Sequence, residues 1–80
     1  MDYASQLRRH TGETSILVEQ STHTRHPVHI LDFSKTMRGE EVTLVEVGEQ
    51  SVIVEYLASG HWEVFPFAEI QINEDPSYVT

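Results

Sequence analysis

Two runs rich in β-branched and apolar residues, Glu41 to Val47 and Ser51 to Leu57, are joined by Gly48-Glu49-Gln50. Short Val- and Ile-rich runs split by a brief Gly-bearing link are a hairpin signature. This hairpin constrains the chain most, because a two-stranded ribbon is stable in water only when further strands or a helix cover its apolar face. The remaining sequence supplies such elements. Thr14 to Glu19 and Val28 to Phe33 read as strands. Ala58-Ser59-Gly60 turns tightly into a strand from His61 to Phe65, which Pro66 ends because proline cannot donate to a ladder. After a turn at Phe67-Ala68, the run Glu69-Ile70-Gln71-Ile72 alternates polar and apolar residues. Upstream, Asp2 is placed to cap a helix from Tyr3 to about His10, with Tyr3 and Leu7 on one face. Arg8, Arg9 and His10 fall at the negative end of its dipole, and Gly12 supplies a stop. The polar stretch from Ser21 to Pro27 is a loop.

These elements predict a mainly β chain: a short N-terminal helix followed by a strongly bent, five-stranded antiparallel small barrel. Its 80 residues make one domain. The expected division is a helical segment over residues 1–11, the barrel over 14–73 and a loose acidic tail over 74–80. A lone barrel buries one face of each strand. In Ser51 to Leu57, however, Val52, Val54 and Tyr56 form one face while Ile53 and Leu57 flank Glu55 on the other. In Glu41 to Val47, Val45 and Val47 oppose Val42 and Leu44. With both faces partly apolar, the outer face is expected to be buried by another copy of the chain. The small core available to so short a chain points the same way.

Charge is divided along the sequence. The bases Arg8, Arg9, Arg25, Lys35 and Arg38 all precede Glu40, and from there on only carboxylates occur. The formal net charge of −8 therefore resides in the half that reads most clearly as β-structure. Such a surface repels phosphate backbones, which disfavours RNA as a partner. Arg8, Arg9, Arg25 and Arg38 are the residues from which an anion or RNA patch would have to be built. Without Cys there is neither a disulfide nor a thiolate–zinc site. That fits a reducing compartment, and Met1-Asp2-Tyr3-Ala4 does not read as a signal peptide. No apolar run approaches the roughly 20 residues of a membrane span. The expectation is a cytoplasmic protein with no membrane partner.

Catalytic chemistry finds little foothold. His23, His26 and His29 are spaced three apart, but on a strand His26 points away from the other two, and Pro27 interrupts a helix that would align them. A metal needs three or four converging ligands, so no metal is expected. No Ser stands in a nucleophile-elbow context, and the paired acids Glu40-Glu41 and Glu74-Asp75 read as solvated. No Gly-rich phosphate loop or other cofactor motif is present. The chain is expected to be no enzyme and to carry no cofactor.

Trp62 shares a strand face with Val64, whereas Phe65 points to the opposite face. Val54, Tyr56, Trp62, Val64 and Phe65 are the candidate residues for an oligomer or partner interface.

Leu7-Arg8-Arg9 ahead of Ser15-Ile16-Leu17-Val18, and Glu63-Val64-Phe65-Pro66-Phe67-Ala68-Glu69-Ile70 near the end, resemble the helix-to-strand junction and the last two strands of the Sm-like fold, in particular of the bacterial Sm-like RNA chaperones. The resemblance spans Leu7 to Ile72. It implies closed rings in which the fourth strand of one subunit pairs with the fifth of the next. That would set His61 to Phe65 against Ser51 to Leu57 of a neighbour, or beside that seam. Where the family's Arg-Gly loop would fall, this chain reads Ser59-Gly60-His61, so the RNA-binding residues do not carry over.

The function expected is a non-enzymatic, ring-forming assembly or binding module whose main partner is itself, with a protein partner as a further candidate. Trp62, Phe65-Pro66 and Ile70 are also similar to SH3-like and Tudor-like barrels. The alternatives are accordingly a monomeric peptide-binding module anchored on Trp62 and Phe65, or an acidic nucleic-acid mimic that occupies a basic partner.

Overall fold

The computed structural model describes residues 3–20 and 28–74. A short helix, α1 (Tyr3–Arg8), precedes the strands β1 (Thr14–Gln20), β2 (Val28–Asp32), β3 (Glu40–Val47), β4 (Ser51–Tyr56) and β5 (Trp62–Pro66). One turn of 3-10 helix (Phe67–Glu69) then leads into β6 (Ile70–Asn73). The strands form a single sheet in the order β5-β4-β3-β1-β2-β6.

The mainly β architecture with one N-terminal helix matches the expectation, but the barrel does not. Among the described residues there are six strands, and β5 and β6 stand at opposite edges without pairing. The sheet is mixed, because β6 runs parallel to β2 with His29 opposite Ile70 and Leu31 opposite Ile72. The cause is the 3-10 turn, which carries the chain from one edge to the other and brings it back alongside β2 instead of beside β5. The sheet nevertheless curls. Val45 is a bulge where the β3–β4 register shifts between Leu44 and Glu46, and such bulges bend and twist a strand. The ring of His29 on β2 consequently meets Phe65 on β5 with centroids 4.6 Å apart.

The concave side holds the core: Leu7, Leu17, Leu31, Phe33, Val42, Leu44, Val52, Val54, Phe65 and Ile70. Of the two partly apolar faces of β4, the one with Val52 and Val54 turns inward, both being fully buried, so Val54, expected at an interface, is core instead. The strand from Trp62 pairs with β4 of its own chain, Val52 opposite Phe65 and Glu55 opposite Trp62. Ser51 to Tyr56 is thus paired on both sides within its own chain, by β3 and by β5.

The helix ends at Arg8, two residues short of the expectation. The backbone tightens there through His10 N–H to Leu7 O (2.9 Å) and Glu13 N–H to His10 O (2.9 Å). Gly12 adopts φ +86°, a region that costs glycine little. Its N–H donates to Leu44 O at 2.7 Å, pinning the turn to β3. The expected cap Asp2, the loop from Ser21 to Pro27 and the tail beyond Glu74 lie outside the described residues. Asn73 and Glu74, placed by sequence in or beside a loose tail, belong to the ordered structure: Asn73 is in β6, and Glu74 is bonded to α1 and the turn that follows it.

Candidate functional site

The two sheet edges are treated differently. Along β6, α1 acts as a cover: Tyr3 donates its phenol proton to Ile70 O, and Gln6 Nε2 donates to Glu74 Oε1 at 2.8 Å. Tyr3 also meets Phe67 edge-to-face at 5.4 Å. Burial of the Tyr3 phenol pushes its pKa up to about 12.

The β5 edge has no such cover among the described residues. Its hydrogen-bond phase follows from two bonds at the ends of the β4–β5 ladder, Tyr56 N–H to His61 O and Phe67 N–H to Gln50 O, both 2.8 Å. Antiparallel ladders bond directly opposed residues at every second pair. Val54 with Glu63 and Val52 with Phe65 are thus the bonded pairs. Trp62, Val64 and Pro66 turn their backbone groups away from β4, toward the free edge. Pro66 offers only a carbonyl there, the position where a strand tolerates proline. The side chains of Trp62 (56% exposed) and Val64 (59%) stand on the convex face beside Glu55 and Ile53. An uncovered edge bearing large apolar side chains is a template for another strand.

On the other side of β4 lies a shallow open groove of about 680 Å³ lined by Gly39, Glu40, Glu41, Tyr56, Leu57, Ala58 and Ser59. It adjoins a smaller one that includes Glu19, His29 and Arg38. Tyr56 donates its phenol hydrogen to Glu63. Burial first, then that bond, then the charges of Glu63, Glu40 and Glu19, push the Tyr56 phenol well above its ordinary pKa.

Two buried polar clusters support the frame. Asp32 is fully buried at the end of β2. It accepts from Thr36 N–H (2.9 Å), Met37 N–H (2.7 Å), the Ser34 hydroxyl (2.6 Å) and Asn73 Nδ2 (2.9 Å). Burial raises its pKa, but the hydrogen bonds from Ser34, Met37, Thr36 and Asn73 outweigh it and hold the carboxyl below its usual value. Asp32 thereby shapes the loop into β3, including Lys35 at φ +58°. His10, also fully buried, faces Glu13 Oε1 at 2.9 Å and Glu74 Oε2 at 2.6 Å with its two ring nitrogens.

The sequence-predicted residues separate by depth. Val54 and Phe65 are core, 0% and 5% exposed, so neither offers a contact surface to a partner. Tyr56 is half-buried at the groove, while Trp62 and Val64 form the exposed edge. Arg8 and Arg9 are exposed at the end of α1, where Arg9 acts on Glu74, while Arg38 lines the groove with Glu19 and Glu40. Arg25, His23 and His26 lie outside the described residues. His29 Nε2 stands 3.5 Å from Glu19, and among the described residues no three His, Asp or Glu side chains group as metal ligands. Nor is any described helix long and apolar enough to cross a membrane.

Sequence reasoning missed His10 and Asp32. Asp32 was findable: Asp followed by Ser34 and Thr36 is the pattern by which a carboxylate gathers the backbone of a turn. His10 carried no signal, because its partner Glu74 is 64 positions away. Compared with family models, curated proteins and solved structures, the chain matches none.

Proposed function

We propose that this chain is a non-catalytic assembly and binding module that works by accepting a β-strand at its β5 edge. The observation that carries the reading is the outward backbone of Trp62 and Val64, with their exposed side chains, on a sheet edge that nothing covers among the described residues. Strand addition takes affinity from main-chain hydrogen bonds and selectivity from alternate side chains. The Sm-like resemblance supports the same reading, since pairing of late strands between subunits is how that fold assembles. A cytoplasmic setting agrees with the Cys-free sequence. RNA is not the proposed partner, because the second half of the chain bears acids only.

The test is residue-resolved NMR during titration with a panel of extended seven-residue peptides, and during concentration of the chain itself. Perturbation centred on the Trp62 and Val64 amides, removed by Val64→Pro, supports strand acceptance there. Saturable binding centred on α1 or on the groove at Tyr56 contradicts it.

A further inference from the structure

The occupant of the β5 edge follows from its register. Building on the strand-accepting reading, we infer that the edge pairs with the β5 edge of a second copy, antiparallel and in register about Val64. The first ground is that, among the described residues, α1 lies over the β6 edge and nothing lies over the β5 edge. Head-to-tail growth joins two different edges, and here the β6 edge carries α1 across Ile70 and Glu74. A single open edge pairs with itself, which gives a closed two-fold dimer.

The second ground selects the register. A two-fold axis normal to the sheet keeps each face on its own side, so it passes through an outward-bonding residue or its neighbour. Centred on Glu63, the pairing sets Trp62 opposite the second copy's Val64 but drives Glu63 onto its own equivalent. Like charges directly opposed across strands are destabilising. Centred on Val64, the backbone N–H and C=O of Val64 bond reciprocally to the second Val64. The Trp62 N–H donates to the Pro66 carbonyl of the other copy, while the Trp62 carbonyl, opposite a residue with no N–H, accepts nothing in that pair. Glu63 then faces Phe65, and no acid opposes an acid. Both registers form the same number of main-chain bonds, and charge separates them.

The third ground is continuity. Ile53 lies opposite Val64 on the convex face. Pairing about Val64 therefore lays Ile53, Val64 and their equivalents in one row across the seam, with each Trp62 covering the other copy's Pro66. The two bodies each carry −8, so their mutual repulsion is relieved by salt.

The chain has no Cys, which makes single thiols clean reporters. Val64→Cys, Glu63→Cys and Trp62→Cys place thiols at exposed positions where folding is not at stake. In the inferred register the Val64 Cα atoms stand about 5.5 Å apart, inside the disulfide range, while Glu63 Cα atoms are about 8 Å apart and Trp62 Cα atoms about 14 Å apart. Oxidation with diamide should cross-link Val64→Cys at least tenfold faster than the other two. Sedimentation equilibrium of the parent should show a monomer–dimer equilibrium that tightens as NaCl rises, with slowed exchange of the Trp62 and Val64 amides in the dimer. Preferred cross-linking at Glu63→Cys, an assembly larger than a dimer, or a dimer that leaves those amides unprotected overturns the register. A parent that stays monomeric to about 1 mM overturns the second copy as occupant. The peptide panel then decides separately whether the edge accepts any strand: perturbation at Trp62 and Val64 by a basic peptide, weakening with salt, keeps the strand-accepting reading with a foreign partner.

Discussion

The imidazole of His10 lies flat on the ring of Phe33, with centroids 3.9 Å apart and planes 11° from parallel. Its nitrogens look in two directions, to Glu13 just beyond the helix and to Glu74 just beyond β6. A neutral imidazole has one N–H and an imidazolium two, so only the charged ring donates to both carboxylates at once. The stacked, doubly bonded ring joins the helix end, the loop after β2 and the end of β6.

That junction makes the fold acid-sensitive. The hydrogen bond from His10, then the one from Gln6, hold the Glu74 carboxyl below its usual pKa against the opposing effect of burial, aided by the charges of His10 and Arg9. A carboxyl depressed in the folded state contributes stability above its unfolded value, and loses it as pH falls through its folded value. Glu74→Gln should cost about 1–2 kcal/mol at pH 7 and flatten the loss of stability below pH ~4. Urea unfolding across that range checks it, and an acid limb as steep as the parent's counts against the assignment.

Asp32 should matter more. Asp32→Ala strands the Thr36 and Met37 amides and should cost about 3 kcal/mol. Asp32→Asn keeps an acceptor and should cost less. Its carboxyl is depressed too, so this contribution also disappears as pH falls below the usual carboxylate range. Chemical denaturation of both variants reads the difference; equal losses would mean that the charge, and not the accepting oxygens, organises the loop.

Alkali should act through Tyr3. Its phenol is raised to about 12, so the stability it provides is complete below the unfolded value near 10 and is lost as pH rises toward 12. Tyr3→Phe should destabilise by about 1 kcal/mol at pH 8 and take away part of the alkaline decline. Thermal unfolding at pH 8 and pH 11 is the comparison; an unchanged decline would place the titrating group elsewhere.

Gly39 is required by space and not by dihedral angle. A Cβ there would sit 2.2 Å from the backbone oxygen of Leu17 and 3.0 Å from Ile16 Cγ2. Gly39→Ala has to push β1 from the start of β3 and should cost at least 2–3 kcal/mol. Gly60→Ala, at φ +73° in open space, should cost only about 1 kcal/mol. Similar losses at the two sites in urea melts would show that β1 yields easily.

The single Trp separates surface from core. In dilute solution Trp62 should emit as a hydrated indole, and Trp62→Ala should change monomer stability by no more than about 0.5 kcal/mol. Phe65→Ala, three residues on, should cost about 3–4 kcal/mol. Concentration should shift the Trp62 emission to the blue as the edge is covered, and Trp62→Ala should weaken the assembly. An emission already blue at nanomolar concentration contradicts the open edge.

Local pattern made the strands legible. The β-branched runs and the Gly48-Glu49-Gln50 link place β3 and β4 within a residue of their observed bounds, and the alternation in β4 sets Val52 and Val54 on one face, though with both faces partly apolar it does not tell that this face turns inward. Strand partners far apart in sequence left no such trace. Nothing near Ile70 tells that it will run parallel to His29, or that Tyr3 will cap its carbonyl. An antiparallel barrel was expected because hairpins are local, whereas β6 crosses to the far edge. The site was half legible: alternation puts Trp62 and Val64 on one face, but only the hydrogen-bond phase of the ladder shows that their backbones are free.

The α1 cover on β6 has a consequence for biosynthesis. Tyr3 waits for Ile70 and His10 for Glu74, separations of 67 and 64 residues. A nascent chain leaving the ribosome N-terminus first exposes the α1 residues long before their partners emerge. Leu7 and His10, both fully buried in the finished fold, then stand in water until the residues around Ile70 and Glu74 have emerged. Such long-range closure slows folding and makes it all-or-none, so a chain stalled before Ile70 is a better client for a chaperone than a partly folded domain.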